Sequence, residues 1–115
     1  MNQTQNNKSR IPQSFLLRGV SFHKETVEKL NKDSILKMEK DINNEYDSYA
    51  IKVLTLENEM CGYIPKKYTI GIDEFILNKI IFDKFEKLNR KYNLRVKNKL
   101  LWDGPTGIEV EFIPK

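Results

Sequence analysis

At 115 residues the chain has the length of one domain, enough to bury a core without metal or disulfide staples. Its single cysteine, Cys61, excludes an internal disulfide and a self-contained cysteine zinc cage, which makes a reducing compartment the default. The formal net charge is +4, and no apolar run approaches the ~20 residues that cross a bilayer, so a soluble cytoplasmic protein with no membrane partner is expected.

Residues 1–14, rich in Asn, Gln and Ser, are predicted to be a disordered leader, and 15–115 a single domain. Residues 15–22 alternate around a mostly apolar run and predict a strand, in which Gly19 marks a bulge or a close backbone approach. A short helix follows over 23–30, with Val27 and Leu30 on one face, and then a strand over 34–40 carrying Ile35, Leu36 and Met38. Residues 41–47 form a loop dense in Asn and Asp. Residues 50–56 and 60–64 are expected to pair as a hairpin across Glu57-Asn58-Glu59. Apolar residues at 72, 75, 76, 80, 81, 85 and 88 keep the helical period and predict an amphipathic helix over 72–92, started by Thr69 or Asp73 and ended by Asn93. Two last strands, 94–102 and 108–113, flank a Gly- and Pro-rich turn over 103–107. The order β-α-β-β-β-α-β-β places the chain in the α+β class, mainly β with helices, as a small six-stranded barrel sealed on one side by the long helix.

The most informative stretch is Asn44-Glu45-Tyr46-Asp47-Ser48-Tyr49-Ala50-Ile51-Lys52-Val53, followed by Gly62-Tyr63-Ile64-Pro65. A polar turn runs into an alternating strand, a short turn and a second strand, so Tyr46 and Asp47 are held at the mouth of a hairpin. The aromatic ring can stack on any unpaired base for ~1–3 kcal/mol without choosing sequence. The carboxylate repels phosphate but accepts a hydrogen bond from a sugar hydroxyl, which suits a strand end better than continuous backbone. Equally, Asp47 can order its own loop through backbone N–H groups while Tyr46 packs at the barrel rim. Asn44 can meet a base edge or make an Asx turn.

The N-x-Y-D-x-x-A-I-x-V pattern with Gly-Tyr-Ile-Pro resembles the HIRAN domain, a small module found fused to DNA-remodelling helicases and alone in bacteria and phages. Residues 15–22 are similar to the family's opening strand and 34–40 to the strand leading into the motif, so the resemblance covers about 15–67. It implies an OB-like β-barrel, without catalysis or cofactor, that captures the 3′ end of single-stranded DNA. It also implies that Phe22 offers a second stacking surface, against the alternative of a core residue closing the barrel. Tyr63 and Lys66 would reach the phosphates of the last nucleotides. The nucleic-acid site so implied is Phe22, Asn44, Tyr46, Asp47, Tyr63 and Lys66, with a DNA-processing helicase or nuclease as further partner. Two departures stand out: Ser21 occupies a place where arginine would favour DNA, and Glu45 one where proline is common. Both weaken the expected binding.

Charge is unevenly spread. Residues 79–99 hold eight Lys or Arg against Asp83 and Glu86, whereas 39–59 hold six acids against Lys40 and Lys52. The basic segment either steers a polyanion or is a solvated helix face. Other chemistries are excluded residue by residue. Asp41-x-Asn43-x-Glu45-x-Asp47 starts like a calcium loop, but Tyr46 stands at its glycine position and Lys52 at its bidentate acid. His23 and Cys61 are the sole members of their types, and Gly104-Pro105-Thr106-Gly107 lacks the Lys and Ser or Thr of a phosphate loop. Trp102 is either core or a third stacking surface. A DNA-end binding module is thus favoured, with RNA as ligand still open. The alternative is a protein-interaction adaptor on the same scaffold, docking through the acidic loop or the long helix.

Overall fold

The computed structural model describes residues 11–100 and 106–115. Alternation of Leu36 and Met38 with Lys37 and Glu39 makes β2 (Ile35–Lys40) a strand with one buried face. It pairs antiparallel with β3 (Ile51–Thr55), Leu36 opposite Thr55 and Lys40 opposite Ile51. β3 turns into β4 (Met60–Tyr63) as expected, with Asn58 at φ 71° and the Thr55 N–H donating to the Glu59 carbonyl at 2.8 Å. The other edge of β2 meets β7 (Tyr92–Leu100), which runs against β8 (Gly107–Pro114), and β8 runs against β1 (Ser14–Leu16). The main sheet is therefore antiparallel throughout, in the order β1-β8-β7-β2-β3-β4. Leu36, Ile51, Val53, Leu94, Val96, Ile108 and Val110 are fully buried on its inner face. Burying each such side chain contributes ~1.5–3 kcal/mol.

The sheet curls into a half-barrel whose two outer strands come together just past β1. There Arg18 and Tyr63 exchange backbone hydrogen bonds of 2.9 and 2.8 Å. Gly62 makes this approach possible, because a Cβ at that position would lie 2.6 Å from the Arg18 carbonyl oxygen. Any larger residue would push β4 away from Arg18.

The mainly β architecture with helices agrees with the expectation, but the element order does not. The strand predicted over 15–22 ends at Leu16; the chain turns at Gly19 (φ 75°) into a 3₁₀ turn, Val20–Phe22, before the short helix α1 (Lys24–Lys29). Gln13 and Ser14, assigned to the leader, belong to the sheet: the Phe112 N–H donates to Gln13 O at 3.2 Å, and Ser14 sits opposite Glu111. Residues 1–10 of the leader lie outside the described residues, as do Trp102 and residues 103–105 of the predicted turn.

Residues 72–92 depart further from the single helix expected there. Their first part is not helical but joins a separate two-stranded hairpin, β5 (Lys67–Ile70) with β6 (Asp73–Ile76), Tyr68 opposite Phe75. Thr69, Ile70 and Ile76 are β-branched, and Gly71, at φ 63°, takes the first central position of a two-residue turn where other residues are strained. This local preference overrides the helical spacing of Ile72, Phe75 and Ile76. Ile72, expected on the apolar helix face, is 99% exposed at the hairpin tip. The helix starts at Leu77 and breaks at Lys84 into α2 (Leu77–Asp83) and α3 (Phe85–Lys91), so Thr69 and Asp73 do not cap it and Asn93 lies in β7. Leu77 and Ile81 of α2 enter the core, and Phe82, Phe85 and Leu88 pack against it. The helical segment therefore does cover one side of the sheet, over a shorter length.

Candidate nucleic-acid interface

The loop between β2 and β3 is ordered by its own side chains. Asn44 Oδ1 accepts from the backbone N–H groups of Tyr46 and Asp47 at 2.8 and 2.9 Å, an Asx turn, while its Nδ2 donates to Asp41 Oδ2 at 3.1 Å. The same Asp41 oxygen accepts the Tyr63 hydroxyl at 2.9 Å, which ties the loop to β4. Burial first, and then the hydrogen bond to Asp41 and its charge, raises the Tyr63 phenol above its ordinary value, so the hydroxyl stays a donor. Asp47 Oδ1 accepts from the Tyr49 N–H at 2.9 Å, and its Oδ2 from Asn78 Nδ2 at 2.7 Å. Asn78 is 1% exposed and enters from α2, so one carboxylate is held from both the loop and the helix.

With Asn44 and Asp47 turned inward onto the backbone, Tyr46 between them is left outside, 93% exposed. Phe22 ends the 3₁₀ turn across from it and is 84% exposed, so it does not close the core. A Cβ at Gly19 would sit 3.9 Å from a ring carbon of each of Phe22 and Tyr63, which places both rings beside that turn. Between these walls lies a cleft of about 610 Å³, floored by Ala50 and Ile64. Phe22, Asn44, Tyr46, Asp47, Tyr63 and Lys66 all line it. The six residues singled out in the sequence are thus brought to one place, although Asn44 spends its oxygen and one N–H on the loop.

The lining also includes Arg18 and His23, which the sequence did not mark as site residues. Arg18 had a signal: with Phe15 and Leu17 buried on the alternating strand, Leu16 and Arg18 must face out. Asn78 had one also, as an amide on the apolar side of a helix beside Leu77 and Ile81. The basic segment 79–99 contributes no lining residue. Lys79 is paired with Asp83 at 2.8 Å, Arg95 with Glu111 at 2.9 Å, and Lys99 donates to the carbonyls of Glu28 and Leu30 at 3.0 Å each. The positive charge at the cleft comes instead from exposed Arg18 and Lys66; among the described residues neither joins an ion pair.

Two exposed rings and two cations that join no ion pair among the described residues, gathered around one cleft, suit a ligand with flat faces and negative charge. No curated protein and no solved structure matches the chain. The family model for the HIRAN domain, however, matches residues 13–102, which contain every residue of the cleft, and the chain therefore belongs to the HIRAN domain family, a family of DNA-binding domains.

Proposed function

We propose that the cleft holds the 3′ end of a single-stranded DNA, without catalysis, in a repair, replication or phage-related process alongside a helicase, nuclease or other DNA-processing protein. The observation that carries this reading is the convergence of exposed Phe22 and Tyr46 with Asp47, Arg18 and Lys66 on one cleft. Its volume lies in the ~300–1,000 Å³ range of small-ligand sites and suits terminal nucleotides rather than a duplex. Phe22 and Tyr46 stack the bases, and Arg18 and Lys66 take the phosphates. Each Asp47 oxygen already accepts one hydrogen bond but retains a second lone pair, so the carboxylate can still accept the terminal hydroxyl. A phosphate in that position would meet the carboxylate charge.

Of the two docking routes of the adaptor alternative, the acidic loop and the helices, the helical one needs an apolar face on α2 or α3. Among the described residues the exposed large apolar side chains are Leu16, Phe22, Ile42, Tyr46, Leu56 and Ile72, and none is on α2 or α3. The test is a fluorescence-anisotropy titration with oligonucleotides that differ only in their 3′ group. Tighter binding of the 3′-hydroxyl form is expected, and Asp47→Asn, which keeps the shape but removes the charge, should narrow the gap between the two forms. Equal affinity of the wild-type protein for both would sink the end-recognition reading.

A further inference from the structure

A second groove, of about 550 Å³, runs beside the cleft and shares Arg18 with it. One wall is β1 with Leu17 and Arg18, and the other is Pro65, Lys67 and Tyr68 at the start of the β5–β6 hairpin. Successive residues of an extended chain point to opposite sides, and here Lys66 lines the cleft while Lys67 lines the groove. Exposed Lys66, Arg18 and Lys67 therefore flank the passage from one depression into the next, and among the described residues none of the three joins an ion pair.

The groove wall also carries an unused backbone edge. Gln13 O and Leu17 N–H bond to β8, so the intervening even-numbered residues turn their backbone groups the other way. Arg18 spends its pair on Tyr63, and Ser14 O accepts the Tyr68 hydroxyl at 3.3 Å. The N–H of Leu16, between them, has no partner among the described residues and is free to meet a phosphate oxygen. The half-exposed Leu16 side chain and the Tyr68 ring supply apolar surface. Glu109 lines the groove too, as a carboxylate that hydrogen bonds from Asn98 Nδ2 at 2.8 Å and Ser14 Oγ at 3.0 Å hold ionised, so its charge favours the Lys67 side of the groove for a phosphate.

We propose that this groove is the track of the bound strand beyond its end: it takes the nucleotides on the 5′ side of those in the cleft, with Arg18 at the crossing and Lys67 and the Leu16 N–H on their phosphates. This rests on the cleft holding the 3′ end, and it adds a second contact zone with its own length dependence.

The experiment compares a trinucleotide and an octanucleotide of thymidine, both with free 3′-hydroxyls, against the full chain and Lys67→Glu. The wild-type protein should bind the octanucleotide at least ~5-fold more tightly. Lys67→Glu should remove most of that gain, leave the trinucleotide within ~2-fold, and lower the octanucleotide's slope of log K against log salt by ~0.7 or more. The Leu16 amide resonance should move with the octanucleotide only. Equal wild-type affinity for the two lengths, or an equal loss for both in Lys67→Glu, overturns the track while leaving the cleft reading intact. A wild-type protein that binds neither length overturns both. An extended peptide strand pairing with Leu16 is the other occupant such an edge admits. It predicts no effect of Lys67→Glu on DNA of either length, a result that also overturns the track.

Discussion

Asn78 donates its side-chain N–H to Asp47 Oδ2 at 2.7 Å from a position that is 1% exposed. The bond joins α2 to the loop carrying Tyr46 across 31 residues of sequence. Asn78 Oδ1 has no partner among the described residues, so the bond to Asp47 is the one hydrogen bond of this buried amide there. A buried hydrogen bond to a charged group contributes ~1.5–3 kcal/mol. Asn78→Ala is therefore expected to lower stability by about that amount in urea denaturation and to weaken DNA binding by loosening Asp47. Binding that is unchanged once the variant is shown to be folded would mean that Asp47 is positioned by the loop alone.

Tyr46 and Phe22 should separate binding from folding. Both are almost wholly exposed, so replacement by Ala should change stability by no more than ~0.5 kcal/mol. Each should nevertheless reduce single-stranded DNA affinity by ~1–3 kcal/mol, with the salt dependence nearly unchanged because stacking releases few counterions. A loss of affinity that vanishes at high salt would point to charge instead.

The cations of the cleft and those of the helices should behave differently. Arg18→Ala and Lys66→Ala are each expected to reduce the slope of log K against log salt by ~0.7, the share of one single-strand phosphate contact. Reversing Lys87 and Lys91 to Glu should leave that slope close to the wild-type value, because neither residue lines the cleft. A larger effect from the helix reversals than from Arg18→Ala would move the interface off the cleft.

Cys61 provides a pH test of the core. It is fully buried, and burial, with the nearby charge of Glu59, pushes its thiol up to about 11 from 9.0. A folded value above the unfolded one means that the protonated thiol stabilises the fold in full below the unfolded value, and that this contribution is lost as pH rises through the folded value. The urea midpoint should therefore not change on account of this group around neutral pH and should fall above about pH 9. At about pH 8 a disulfide reagent should leave Cys61 untouched in the native protein and titrate it in denaturant. Rapid native-state labelling would contradict the burial.

Much of the site was legible in the sequence because it is made of local chemistry. Asn44, Tyr46 and Asp47 lie within four consecutive residues, and an Asx turn needs only its own backbone, so the exposure of Tyr46 follows from short-range bonding. The Glu57-Asn58-Glu59 turn is likewise closed by local bonds, Thr55 N–H to the Glu59 carbonyl and Asn58 N–H to the Thr55 carbonyl. The hairpin over 67–76 was hidden because Ile72, Phe75 and Ile76 fit a helical period as well as a strand; Gly71 between two isoleucines was the local clue. What the sequence by itself determined is the set of elements whose signals are short-range, the Asx-turn loop that lines the cleft among them. Only the tertiary structure added Arg18 to Lys66 at the cleft and left the basic segment 79–99 out of it. Arg18 reaches it through a bridge to Tyr63 that Gly62 permits, and Asn78 reaches Asp47 through helix packing. Both contacts depend on how the sheet curls, a sum over many pairings that no stretch of sequence specifies alone.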